Sequence, residues 1–138
     1  MLMSHSWEMS TTGHPLSDLS NLLTVYTTSP KSGLSASSAL ASPAFLPGKT
    51  PGLPTRDHLI ALYASLTSYD PRQGGEVAWG AAFNLFRLAA VCQGIAARYA
   101  ARQASSAKAE GYAAEKGPLA EAAWGLVLEK EGGNKAKL

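Results

Sequence analysis

The chain has a single cysteine, little charge and no run of Lys or Arg longer than two residues. Each shortage excludes something. Cys92 alone cannot close an internal disulfide and leaves no cysteine cluster for zinc, so a reducing compartment is allowed. Charged residues make up 16% of the 138 positions, against about 25% in ordinary soluble domains. Twelve basic residues against ten acidic ones give a net charge of +2, spread along the whole length. A chain with 46% hydrophobic residues and so little charge is not a charged disordered polymer. It also lacks the basic footprint of a nucleic-acid binder. Neither GxGxxG nor GxxxxGK[ST] occurs, so no glycine loop is present to cradle a phosphate. His5, His14 and His58 are too scattered to suggest a metal site. The N-terminus has no basic stretch leading into an apolar one, and Glu8 stands where a transit peptide avoids acid, so a cytoplasmic location is the expectation.

The helical pattern is plentiful. Leu16, Leu19, Leu22, Leu23 and Tyr26 recur at three- and four-residue spacing after Gly13-His14-Pro15, which predicts an amphipathic helix over 15–27 with Asp18 in its first turn. Residues 27–54 turn to Ser, Pro, Gly and Ala without a period and read as a long loop tethered by Phe45 and Leu46. Thr55 is the expected N-cap of a helix over 55–68 carrying Leu59, Leu62, Tyr63 and Leu66 on one face. The run 76–103 is apolar nearly all round, which marks either a buried central helix or a membrane span. Asn84, Arg87, Gln93 and Arg98 within it favour the buried helix and no membrane. Its Gly and Ala positions let flanking backbones approach closely. Ser105 and Ser106 are read as caps of a short helix ending near 114. Gly117-Pro118 then opens a last helix with Leu119, Ala122, Ala123, Leu126 and Val127 on its apolar face. The fold class is mainly α, with at most a short β segment in 2–9. One domain is expected over 1–131, followed by a frayed basic tail at 132–138.

Two residues inside the long helix carry chemistry. Cys92 has no His or Lys near it in sequence and reads as an inert buried thiol. Arg87 shares a stripe with Asn84, Arg98 and Arg102, and a guanidinium in the middle of an apolar helix needs a carboxylate or carbonyl partner. Arg87 is read as structural, either in an internal ion pair, with Asp18, Asp57 or Glu121 as the candidate partner, or as a snorkelling side chain.

The segment HSWEMSTTGHPLSDLSNLL, residues 5–23, resembles a stretch of the aminoglycoside-phosphotransferase-like kinases. There a strand ending Asp-Trp-Glu passes through a Gly-Asp/His-Pro turn into a helix that begins near Asp-Leu-Ala. SPAFLPGKTPGLPTRDHLI (42–60) and FNLFRLAAVCQGIAARYAARQASSA (83–107) look like the subfamily associated with acyl-CoA dehydrogenases. The resemblance implies the helical C-terminal lobe of a protein-kinase-like fold, and an intact member would use ATP and magnesium to phosphorylate a substrate hydroxyl. The nucleotide lobe and the His-Gly-Asp catalytic loop lie upstream of this segment in that family. The 138 residues alone are therefore expected to be inactive, to need no cofactor, and to have a separate N-terminal lobe or another protein as partner. The alternative is a non-catalytic helical interaction module. The family's magnesium-binding Asp falls on Ser6, a neutral ligand poorly suited to a hard cation, with Glu8 the weaker candidate for that role. Asp18 matches the family's helix-start Asp, which anchors the catalytic loop, and without that loop it is left as a structural helix-start carboxylate. By the same resemblance, acceptor specificity belongs to residues 30–54 and the 76–103 helix.

Overall fold

The computed structural model describes residues 13–29 and 42–135, with side chains as far as Glu129. These residues form six α-helices and two short 3-10 turns, with no strand among them. The β segment expected at 2–9 lies outside the described residues, as do His5, Ser6 and Glu8.

Helix α1, Pro15–Leu22, starts as its sequence dictates. The His14 ring accepts a hydrogen bond from the Leu16 N–H (3.2 Å), Pro15 occupies a position whose N–H would be unsatisfied anyway, and Asp18 stands exposed in the first turn beside the positive end of the helix. The single helix expected over 15–27 is instead broken at Leu23 into α1 and α2, Thr24–Thr28. The hydroxyls after the break explain it. Thr24 Oγ1 donates to the Asn21 carbonyl (2.6 Å), Thr28 Oγ1 to that of Thr24 (2.9 Å) and Ser29 Oγ to that of Val25 (2.6 Å). Such back-bonding competes with the helical ladder and bends it.

Residues 42–54 form an irregular excursion with a 3-10 turn at Pro43–Phe45. Phe45 tethers it as expected, by an edge contact with the Tyr26 ring (centroids 5.1 Å), while the Tyr26 hydroxyl donates to the Pro54 carbonyl (3.0 Å). Helix α3, Arg56–Thr67, is capped by Thr55, whose hydroxyl accepts from the His58 N–H (3.2 Å). Only Ile60 of α3 is buried, so little tertiary packing supports this helix. Thr55→Ala is therefore expected to cost about 1 kcal/mol, read as a loss of midpoint in urea with unchanged m.

Helix α4, Glu76–Ala100, is the axis of the molecule, flanked by α1, by α5 (Ala109–Ala114) and by α6 (Lys116–Lys135). It ends before the expected residue 103 because Arg102 turns left-handed (φ 57°), so that the Gln103 N–H reaches the Arg98 carbonyl (2.8 Å) and the Arg102 N–H that of Tyr99 (3.0 Å). The short helix after it begins at Ala109 rather than at Ser105, with Ser106 still serving its start by accepting from the Lys108 N–H (3.2 Å). Helix α6 opens with Pro118 inside its first turn, where no backbone donor is needed, and runs through Gly132 and Gly133 into the segment expected as tail.

Two clusters pack against α4 and share no residue. Leu16, Leu19, Leu23 and Ile60 gather at one end, while Leu85, Ala89, Cys92, Leu119 and Ala123 gather between α4 and α6. The expectation that α4 is buried all round is corrected by its opposite side, where Trp79, Phe83, Phe86, Val91 and Tyr99 are exposed. The packed side carries Ala81, Ala89 and Cys92 with Leu85 among them, and the aromatic residues take the open side. Among the described residues this helix, counted from Gln73 through Ala100, is the one long and apolar enough to cross a membrane. Part of it is instead spent on the packing just described.

Candidate functional site

A groove of about 430 Å³ opens between α1 and α4. It exists because Gly80 lets the two helices meet closely, a Cβ at that position falling on Ser20 Oγ and within 2.7 Å of Leu16 Cγ. Its walls are Trp79 and Phe83, about half exposed at 57% and 50%. A mainly apolar cleft with a few convergent polar groups is the usual form of a small-molecule site.

The polar groups sit at its two ends. At the first, His14 spends Nδ1 on the α1 cap, which leaves the proton of the neutral ring on Nε2, and the ring stands edge-on to Tyr69 (centroids 5.7 Å). The Tyr69 hydroxyl donates to the Glu76 carboxylate. That bond holds the proton on the phenol and pushes the Tyr69 pKa up to about 12. At the second end, buried Asn84 donates to Thr24 Oγ1 (2.8 Å) and to the Ser20 carbonyl (3.3 Å).

Arg87 reaches this polar end from outside. Its guanidinium is exposed and donates to the amide oxygens of Asn21 and Asn84, both at 2.9 Å. The partner is therefore neither Asp18, Asp57 nor Glu121. An exposed guanidinium keeps its hydration and needs no carboxylate, so two amide oxygens suffice to orient it. Arg98 lies further along α4, and Arg102 has left the helix altogether. Asp18 is solvent-facing and is not a lining residue of the groove. Cys92 is buried against α6, and burial raises its thiol pKa above the ordinary value, as an inert thiol requires.

The arrangement offers an apolar cleft with hydrogen-bonding groups to a ligand. His14 has its Nδ1 committed to the cap, and among the described residues no three His, Cys, Asp or Glu side chains gather to hold a metal ion. Of the two stretches expected to set specificity, α4 lines the groove. Residues 45–54 line a separate cavity of about 380 Å³ with Tyr26 and Arg56.

Sequence reasoning missed Trp79, Phe83 and Glu76 as site residues. The available signal was spacing, since Trp79, Phe83 and Phe86 fall at three- and four-residue intervals on one helical face while Ala81 and Leu85 fall on the other. Compared with family models, curated proteins and solved structures, the chain matches none.

Proposed function

We propose that these residues are the helical C-terminal lobe of an aminoglycoside-phosphotransferase-like kinase acting on a small hydroxylated molecule, with a hydroxyacyl-CoA as the acceptor class to try. The observation that carries the reading is the meeting of α1 and α4 around Gly80. One turn further along α4, the first and third stretches that resemble the family, 5–23 and 83–107, meet through Asn84, which donates to the Ser20 carbonyl, and Arg87, which donates to the Asn21 amide oxygen. Their groove is apolar enough for an acyl chain and has hydrogen-bonding groups at both ends. In this reading the lobe binds acceptor, while nucleotide, magnesium and the catalytic base come from an N-terminal lobe acting as its partner in the reducing cytoplasm. Phosphoryl transfer works by positioning and charge neutralisation, so this lobe alone does not turn over ATP.

The experiment is capture of the cellular product with an antibody to residues 104–138, followed by its intact mass and a γ-phosphate transfer assay on a hydroxyacyl-CoA. A species well above 14.4 kDa that phosphorylates the acceptor is expected, with no transfer by the 138-residue chain. A 14.4 kDa species alone, inactive, would overturn it in favour of a non-catalytic helical interaction module. The exposed aromatic side of α4 favours that second reading.

A further inference from the structure

Trp79 and Phe83, which also wall the α1–α4 groove, run with Phe86 beside Trp124 and Val127 of α6, and together they line a shallow groove of about 330 Å³. Phe86 and Trp124 are more than 60% exposed. With about 150–250 Å² on each aromatic side chain, the four rings leave on the order of 450 Å² open to water. That is more than half of the roughly 800 Å² each partner gives to a stable interface.

We infer that this α4–α6 face is the contact between two copies of the chain. Its residues carry no charged or hydroxyl side chain, so nothing there would orient a small polar ligand. Nor does it offer the charge pattern by which unlike proteins select one another. It does hold both halves of a self-complementary surface. The groove between α4 and α6 receives side chains, and Phe86 and Trp124 project from the same face to fill the groove of a two-fold-related copy. The two grooves share Trp79 and Phe83, but Phe86 and Trp124 belong to the α4–α6 face alone, so substitutions there test the inference without touching the α1–α4 groove.

Sedimentation equilibrium of the full 138-residue chain at micromolar concentration is the test. A mass twice 14.4 kDa is expected. Phe86→Asp and Trp124→Asp, each at an exposed position and each checked for retained helicity by circular dichroism, should return the monomer mass. Leu62→Asp, on the exposed side of α3, should leave the dimer intact. A monomer at these concentrations overturns the inference, as does a dimer indifferent to both α4–α6 substitutions. An open-ended ladder of larger species overturns it too, since that requires a contact that does not close.

Discussion

Gly80→Ala should destabilise the protein by roughly 1–3 kcal/mol, whereas Gly94→Ala, the same change about four turns further along the same helix, should stabilise it by about 0.5–1 kcal/mol. The intrinsic term is identical at the two sites, since alanine is better than glycine in a helix interior by about 1 kcal/mol. The surroundings decide the sign. A methyl at Gly80 lands on Ser20 Oγ and within 2.7 and 2.9 Å of Leu16 Cγ and Cδ2. Both residues are buried, and Cγ is the branch point of Leu16 rather than a free end, so the helices must separate or α1 must shift. At Gly94 the nearest atom is the far end of Arg98, at 3.9 Å, and nothing has to move. Thermal or urea unfolding of the two variants beside the parent checks this, with midpoints moving in opposite directions. Stabilisation by Gly80→Ala would show that α1 does not press on α4. The α1–α4 groove, and the reading built on it, would then lose its foundation.

The sequence made the helical character legible because the signals were local. Pro15 and Asp18 mark the start of α1, Thr55 caps α3, and apolar spacing locates α4 and α6. The ends that shifted did so for reasons that spacing does not carry. Leu23 continues the apolar pattern of α1, yet the hydroxyls of Thr24, Thr28 and Ser29 take up carbonyls around it and split the helix. Arg102 closes α4 in a left-handed conformation where glycine is the usual signal. The candidate site was harder to see. Counting apolar residues made α4 look buried on all sides, because hydropathy does not distinguish a tryptophan that faces solvent from an alanine that faces a neighbouring helix. Spacing does distinguish them, since Trp79, Phe83 and Phe86 fall on one side of the helix and the buried Ala81 and Leu85 on the other. Of the two structural readings of Arg87, the ion pair fails and the snorkelling side chain fits. Being mid-helix in an apolar run suggested burial, but its face of α4 opens beside Asn21, where the guanidinium stays wet.

Leu119→Ala should cost about 2–5 kcal/mol, against a total stability of about 5–15 kcal/mol for an ordinary domain. Leu119 is fully buried, and its cluster contains Leu85, Cys92 and Ala123 with Leu88, Tyr112 and Leu126 packed around them. The removed atoms leave a cavity that only α6 could close by moving inward, and Ala123 beside it is already buried against α4. Leu128→Ala, which trims a side chain 47% exposed on the same helix, should cost well under 1 kcal/mol and serves as the control. Hydrogen exchange should localise the two large effects differently. Leu119→Ala should raise exchange in α5 and α6, and Gly80→Ala in α1 and α2, because the two clusters share no residue and pack on different stretches of α4. Their costs should accordingly add to within about 0.5 kcal/mol in the double variant. Leu85→Ala combined with Leu119→Ala should not add, since both open the same space. Additivity of that second pair would mean that α6 does not pack on α4 through Leu119. The aromatic face shared by the two helices would then have no rigid base from which to meet a second copy.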